Sequence, residues 1–151
     1  MQLPSSFTIR VYGILIDEEN GVLITDEFEH GKRFSKFPGG GLELGEGLHD
    51  CLIREWKEEL GQTIEIIAHF YTTDFFQISA FNHKQRVISI YYRVKALDGP
   101  RVKISDVPFD FLEDKEGVQS FRWIAKEKFS EEVMTFPIDK LVAKMILEEW
   151  Q

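Results

Sequence analysis

The sequence predicts a mixed α/β fold, in which helices pack on the faces of a mixed β-sheet. Two observations support this fold class. Short segments rich in β-branched and aromatic residues are separated by turn signals, and two other segments carry a helical pattern instead. The chain has 151 residues, the length of one ordinary domain, and no repeat, linker or low-complexity segment divides it. We therefore expect a single domain over residues 1–151.

The first part of the chain predicts a hairpin followed by a glycine-rich turn. Residues 7–16 have the composition of a strand, and residues 22–25 form the returning strand after the Asn20-Gly21 turn signal. Residues 26–36 are polar and charged, so we expect a loop there. Residues 37–41 then lead into a tight turn, because proline favours extended backbone before it and glycine allows unusual backbone angles.

Residues 48–60 predict a helix that ends before Gly61. A glycine at this position is a typical C-cap, Gly47 is the expected N-cap, and Asp50 in the first turn suits the helix dipole. Because a helix turns by about 100° per residue, its apolar side chains form a stripe that would pack on the sheet. The members of this stripe are Leu52, Ile53, Trp56 and Leu60.

The second part of the chain predicts further strands and a final helix. The expected strands are residues 64–70, 75–80, 87–97 and 120–124. Residues 98–100 break the chain with Asp-Gly-Pro, and residues 101–119 are expected to be mostly loop. Pro137 opens the last helix, in which apolar residues recur with helical spacing: Ile138, Leu141, Val142, Met145 and Ile146.

Composition excludes some classes of function. The 18 Lys and Arg residues against 26 Asp and Glu give a net charge of -8, whereas nucleic-acid binding needs a positive face. The one cysteine, Cys51, excludes an intrachain disulfide and suits a reducing compartment. Neither a signal-peptide pattern nor an apolar run of membrane-spanning length is visible. We therefore expect a cytoplasmic protein with neither nucleic-acid nor membrane partners.

The central helix carries a second stripe, which is acidic. Glu55, Glu58 and Glu59 are spaced i, i+3, i+4, so they lie together at the edge of the buried face. Like charges this close repel each other, and Mg²⁺ would remove that cost, since it prefers carboxylate oxygens. A solvated acidic surface is the alternative, because most runs of charge are nothing more.

The acidic stripe belongs to a longer pattern. In chain order its fixed residues are Gly40, Glu46, Arg54, Glu55, Glu58, Glu59 and Gly61. This pattern resembles the signature of the Nudix hydrolase family, which fixes these residue types at this spacing. Two softer positions depart from the aliphatic residues of that signature. Trp56 still supplies an apolar anchor, and Gln62 is expected to affect packing rather than catalysis.

The resemblance implies a fold, an activity and a cofactor. The fold is an α/β/α sandwich with a mixed β-sheet, and the activity is hydrolysis of a nucleoside diphosphate linked to another group, with Mg²⁺ or Mn²⁺. Glu58 and Glu59 match the metal-binding pair, and the carbonyl of Gly39 is a further ligand. Glu55 matches a residue that binds metal or deprotonates water, and which carboxylate acts as the base varies within the family.

Other residues complete the candidate site. Glu46 and Arg54 match the family's pair that braces the loop against the helix, which would hold the glutamates in register. Glu116 is a candidate metal ligand, since in several Nudix enzymes an acidic loop residue of this region joins the site. Glu113 and Asp114 compete with it, and an ordinary solvated glutamate is the alternative. Three basic residues could meet substrate phosphates or serve as surface charge: Lys32, Arg33 and Lys36.

The substrate is left open by the sequence. ADP-ribose, a sugar nucleotide and an oxidised nucleoside triphosphate are all compatible with the pattern. A nucleotide-sensing module that cleaves nothing is the alternative function, and an interaction scaffold is a third. Residues 71–81 are dense in aromatic side chains, for which core or homodimer-interface packing is favoured over stacking on a nucleobase.

Overall fold

Two sheets and two helices make up the computed structural model, which describes residues 2–150. In chain order the strands are β1 (Ser6–Ile14), β2 (Ile16–Asp17), β3 (Gly21–Glu29), β4 (Lys32–Lys36), β5 (Gly39–Gly41), β6 (Ile64–Thr72), β7 (Gln85–Ala96), β8 (Ile104–Ser105) and β9 (Val118–Ile124). The helices are α1 (Leu48–Leu60) and α2 (Pro137–Glu149), and a short 3₁₀ turn lies at Glu131–Val133.

The first of two compact units comprises the chain up to Gly13 and Gly39–Gly99. Its sheet has the order β5-β1-β7-β6, with β5 antiparallel to β1 and β6 antiparallel to β7. Helix α1 packs so closely on this sheet that a Cβ on Gly13 would lie 2.8 Å from the Trp56 indole ring. Trp56 is fully buried and is the apolar anchor that the sequence predicts.

The second unit comprises Ile14–Pro38 and the chain from Pro100 onward. Its sheet has the order β2-β3-β9-β8, and β4 also pairs with β3. Strands β8 and β9 run parallel while the other pairs are antiparallel, so this sheet is mixed. Helix α2 belongs to this unit and buries one apolar face: Ile138, Val142, Ala143 and Ile146.

The predicted fold class of mixed sheets with two helices is confirmed. Helix α1 has the predicted bounds, and α2 begins at the predicted proline. None of the helices within residues 2–150 is both long and apolar enough to cross a membrane. A single domain over residues 1–151 stays a prediction.

The predicted loop over residues 26–36 is wrong, because these residues continue β3 and form β4. The two strands pair antiparallel from Thr25↔Lys36 to Glu29↔Lys32. Their charged side chains suit strands because opposite charges meet across the pair, with Lys36 Nζ 3.2 Å from Glu27 Oε2. The polarity of residues 26–36 is therefore not sufficient to assign them to a loop.

The predicted strand over residues 75–80 is also wrong. An isolated bridge between Ile78 and Arg86 is the β pairing that this segment makes. Aromatic residues favour strands, but a strand also needs a partner along its length. Phe75, Phe76 and Phe81 are partly exposed, so of the two packing roles expected for them the core role is not seen, and the homodimer interface stays a prediction.

Other boundaries move by small amounts. The strand predicted over residues 7–16 is interrupted between β1 and β2, and the predicted loop over residues 101–119 contains the short strand β8. Strand β9 begins two residues before the predicted start at residue 120. Short pairings of this kind depend on a neighbouring strand and leave a weak local signal.

Asp26 on β3 is fully buried and accepts hydrogen bonds from three residues. Arg122 donates from Nε at 2.8 Å and from Nη2 at 3.0 Å. The Ser35 hydroxyl donates at 2.6 Å, and the Phe109 N–H donates at 3.0 Å. The carboxylate is therefore both paired and hydrogen-bonded, which a buried charge requires.

We expect Asp26→Ala to lower the free energy of unfolding by about 3–5 kcal/mol, because the variant leaves the Arg122 charge, which is 12% exposed, without its partner. Denaturant unfolding followed by circular dichroism measures the change. Asp114→Ala is the matched control, since it breaks an exposed pair with Arg33 and should cost at most about 1 kcal/mol. Equal losses in the two variants would show that the buried network is not the source of the stability.

Candidate functional site

Strand β5 places three consecutive glycines beside β1, with the pairs Arg10↔Gly41, Val11↔Gly40 and Tyr12↔Gly39. A Cβ on Gly40 would lie 2.5 and 2.6 Å from the two carboxylate oxygens of Glu55. A Cβ on Gly39 would collide with the carbonyl oxygen of Val11. Gly40 thus leaves the space that the Glu55 carboxylate occupies, and Gly39 allows the close approach of β1.

The loop that follows β5 is closed by local hydrogen bonds. The Glu43 N–H donates to Glu46 Oε1 at 2.9 Å, and the Gly47 N–H donates to Asp50 Oδ2 at 3.1 Å. Gly47 is the N-cap of α1, as predicted. Gly61 is the C-cap, in the left-handed region with φ 61°, where glycine is unstrained. These ends fix where the glutamates of α1 lie along the helix.

Arg54 of α1 donates hydrogen bonds to three carboxylates. Its Nε and Nη2 form a fork on Glu46, at 2.9 and 2.7 Å. Its Nη1 donates to Glu55 Oε1 at 3.1 Å and to Glu58 Oε2 at 3.2 Å. The same Nη2 reaches the carbonyl of Gly41 at 3.1 Å. Arg54 therefore ties the loop and β5 to the helix, which is the contact that the resemblance implied for Glu46 and Arg54.

Charge pairing sets the protonation of this cluster. Hydrogen bonds from Arg54 and from the Glu43 backbone lower the pKa of Glu46 to about 2, although burial opposes them. The hydrogen bonds that Arg54 donates to Glu46 are the main reason why the pKa of Arg54 is raised. Burial raises the pKa of the Cys51 thiol to about 12. Glu46 is therefore ionised at neutral pH, while Cys51 stays a protonated thiol that packs in the interior.

The acidic stripe of α1 overlaps the buried side of the helix. At about 100° per residue, Glu55 and Glu59 project between the buried residues Cys51 and Leu52. The Glu55 side chain is 14% exposed, the Glu58 side chain is 61% exposed, and Glu59 is half-buried. The prediction that Ile53 lies in the buried stripe is wrong, since it is 39% exposed. Cys51 is buried instead, because it faces β5, with Sγ 3.5 Å from the carbonyl of Gly41.

The donor atoms suit a hard divalent cation. Glu55, Glu58, Glu59 and the Gly39 carbonyl offer oxygens, which Mg²⁺ and Mn²⁺ prefer, and Gly40 leaves a cradle beside Glu55. In the part of the chain that the structure describes, no three His, Cys, Asp or Glu side chains are grouped around one point. Glu55 and Glu58 point to Arg54 instead. The residues fit the ion by their chemistry, and their use as ligands stays a prediction.

Two of the predicted phosphate-binding residues have partners within the second unit. Lys36 is buried and forms an ion pair with Glu27. Arg33 Nε donates to Asp114 Oδ1 at 2.8 Å, and its guanidinium lies 5.0 Å from the ring centroid of Phe109. Lys32 is exposed at the start of β4. A role of these residues in substrate binding stays a prediction.

Glu116 also has local partners. Its carboxylate accepts hydrogen bonds from the N–H groups of His30 and Gly31, both at 2.9 Å. The bond from Gly31 is the main cause that lowers the pKa of Glu116. Glu116 thus holds its loop on the hairpin between β3 and β4. Its predicted role as a metal ligand is not tested by these contacts.

No sequence pattern indicated that two further charged residues lie near the candidate site. Arg10 lies on β1 opposite Gly41, where a Cβ would be 3.5 Å from its Nη1, and its Nε donates to the Tyr12 hydroxyl at 3.1 Å. Glu43 lies 3.6 Å from Arg54. The register between β1 and β5 is what brings Arg10 to this place, and no local pattern reveals a register.

Comparison with known proteins supports one family. A model described as the NUDIX domain matches residues 6–145. No curated protein matches the chain.

Several solved structures have a similar fold. One of the MutT proteins of Aliivibrio salmonicida and Vibrio cholerae is 24% identical, with a TM-score of 0.67 over 96% of this chain and 99% of that one. The MutT protein of Methanosarcina mazei Go1 is 21% identical, with a TM-score of 0.65 over 100% and 99%. The ORF135 protein of E. coli is 17% identical, with a TM-score of 0.69 over 97% and 94%. At these identities the likeness shows the fold alone, and it confirms the predicted α/β/α sandwich.

We expect Arg54→Gln to raise the pKa of Glu46 from about 2 toward its ordinary value of 4.5, because the main cause of the lowering is removed. NMR titration of the side-chain carboxyl carbons measures this pKa. Since the folded chain holds Glu46 ionised, stability in the parent protein should rise as the pH increases from about 2 to 4.5.

That pH dependence should flatten in Arg54→Gln. Lys57→Gln removes a cation from the same helix without touching Glu46 and is the control. A Glu46 carboxyl that still titrates near pH 2 in Arg54→Gln would show that another group lowers its pKa.

Proposed function

We propose, from the premise that the chain belongs to the Nudix hydrolase family, that it hydrolyses a phosphoanhydride bond in a nucleoside diphosphate derivative. Family membership confirms the predicted enzyme class. The substrate, the ion and the role of each residue are the proposal. Mg²⁺ is the proposed cofactor, and Mn²⁺ would serve the same oxygen ligands.

The position of Glu55 carries this proposal. Its carboxylate lies in the space above Gly40, at the buried edge of the acidic stripe. A simple solvated acidic surface would not need a glycine at this point, nor a carboxylate largely shielded from water. We infer that Glu55, Glu58 and Glu59, with the carbonyl of Gly39, hold the ion. A divalent ion bound there supplies charge neutralisation for the phosphates and an acidified water.

The chain's own residues perform the remaining work. Glu55 or a neighbouring carboxylate takes the proton of the attacking water, as the water oxygen bonds to phosphorus and the anhydride P–O bond breaks. The leaving phosphate departs with the electron pair of that bond. Arg54 is a positioning residue: its Nε and Nη2 hold Glu46, and its Nη1 contacts Glu55 and Glu58, the carboxylates that would hold the ion. The contact between Arg54 and Glu46 would therefore brace the helix independently of the contacts that Glu55 and Glu58 would make with the ion.

The proposed substrate is a small nucleotide, and the proposal does not specify which group is linked to its diphosphate. A chain of net charge -8 repels a phosphate ester unless positive charge is supplied locally, so turnover is expected to require the ion. Lys32, Arg33 and Lys36 are proposed phosphate contacts, and Glu116 is a proposed additional ligand. A homodimer and a cytoplasmic location remain predictions.

We expect Glu58→Gln and Glu59→Gln each to reduce turnover by about 100-fold or more, because each removes a charge that stabilises the reacting phosphates through the ion. Release of phosphate and nucleotide is measured with ADP-ribose, sugar nucleotides and an oxidised nucleoside triphosphate, with Mg²⁺ and with EDTA. Glu65→Gln is the control, since it removes an exposed carboxylate from β6 in the same unit.

Near-parental rates in both helix variants would refute the assignment of the acidic stripe. Nucleotide binding without turnover of any compound would favour the sensing module instead. Loss of turnover in EDTA, with recovery on adding Mg²⁺, is the result expected for the proposed hydrolase.

A further inference from the structure

A groove of about 330 Å³ lies at the start of β1. It is lined by residues 3–7 together with Phe76 and Arg86, all within the first unit. The N–H groups of Ser5 and Ser6 donate to the carbonyl of Lys84 at 2.9 and 3.3 Å, which holds this wall beside the start of β7. The volume is within the range of small-molecule sites.

Arg86 is the charged residue in the lining of this groove. Its guanidinium carbon lies 5.8 Å from the ring centroid of Phe7 and 5.4 Å from that of Phe76. Its Nε atom is buried, and no acceptor within residues 2–150 takes a hydrogen bond from it. Buried donors in native proteins almost always have an acceptor. The groove is therefore lined by a cation that lies near two aromatic rings and whose buried Nε has no acceptor within residues 2–150.

The surroundings of Arg86 favour an anionic ligand. The groove lining contains no carboxylate, and no ion pair joins Arg86 to a described acidic residue, although the chain carries a net charge of -8. A guanidinium edge presents parallel N–H groups that match the two oxygens of a carboxylate or a phosphate. Phe7 is 61% and Phe76 is 48% exposed, so apolar surface borders the charge.

We propose that this groove binds a small oxyanion, a carboxylate or a phosphate, carried on an apolar body, and that Arg86 recognises the anionic group. Phe7 precedes Val11 on β1, and Val11 pairs with Gly40 beside Glu55. Strand geometry separates Phe7 from Val11 by about 13 Å. A small molecule in the groove can therefore bind without contacting the acidic stripe. The proposed groove site does not depend on the proposed hydrolysis.

The test uses the NMR signal of the Arg86 Nε–H group in the intact chain. Benzoate and phenyl phosphate are titrated separately, with benzyl alcohol as the neutral analogue. The signal is expected to shift and saturate with at least one of the two anions and to stay in place with the alcohol. The more tightly bound anion identifies whether carboxylate or phosphate is the preferred group. Equal binding of benzyl alcohol, or an unmoved signal at high concentrations of both anions, would overturn the proposal.

Variants separate recognition by Arg86 from general attraction to cations. Arg86→Gln should weaken binding of the preferred anion by at least about tenfold, as expected for losing a charged hydrogen bond. Arg93→Gln is the matched control, because Arg93 lies on the same strand with its guanidinium 5.1 Å from the Phe70 ring. Binding should be unchanged in this control.

Arg86→Lys keeps the positive charge and removes the planar fork, so it tests recognition if Arg86→Gln does not fold. Circular dichroism verifies folding, and shifts of the Phe7 and Phe76 ring signals follow the binding. The lysine variant should also bind the preferred anion more weakly than the parent. Parental affinity in a folded Arg86→Gln or Arg86→Lys variant would overturn the role of Arg86.

Discussion

The close approach of α1 to the glycines of β1 and β5 is the constraint on which the candidate site depends. The Trp56 ring occupies the space over Gly13, and the Glu55 carboxylate occupies the space over Gly40. A side chain at Gly13 would clash with the Trp56 ring, and a side chain at Gly40 would displace the Glu55 carboxylate. One helix therefore places both an apolar ring and a carboxylate against glycines of the first unit.

This packing creates an electrostatic problem that Arg54 offsets. Carboxylates brought together on one helix repel each other, and two of them lie on the buried side. Arg54 contacts Glu46 through Nε and Nη2 and both Glu55 and Glu58 through Nη1, so one cation balances several charges. Its fork on Glu46 does not involve the helix glutamates. The brace and the candidate ligands are thus separable, which allows a cation to be bound without releasing the loop.

Local patterns were sufficient to predict the helix and its chemistry. The bounds of α1, its glycine caps and its acidic stripe follow from signals within residues 47–61, since helix periodicity and capping involve neighbours in the chain. The order of glycine, glutamate and arginine residues around that helix identified the family that the NUDIX match supports. In the second unit the same reasoning placed the start of α2 at its proline. These features need no knowledge of distant partners.

By itself, then, the sequence determined the family, the central helix and the residue types of the site. The tertiary structure decided which segments become strands, because β pairing depends on residues far apart in the chain. Residues 26–36 pair as parts of two strands, whereas residues 75–80 form a single isolated bridge. It also decided the partner of each charge, placing Arg33 on Asp114, Glu116 on a hairpin and Arg10 beside Gly41. The sequence alone does not show which groups a charged side chain contacts, since strand register and packing determine its partners.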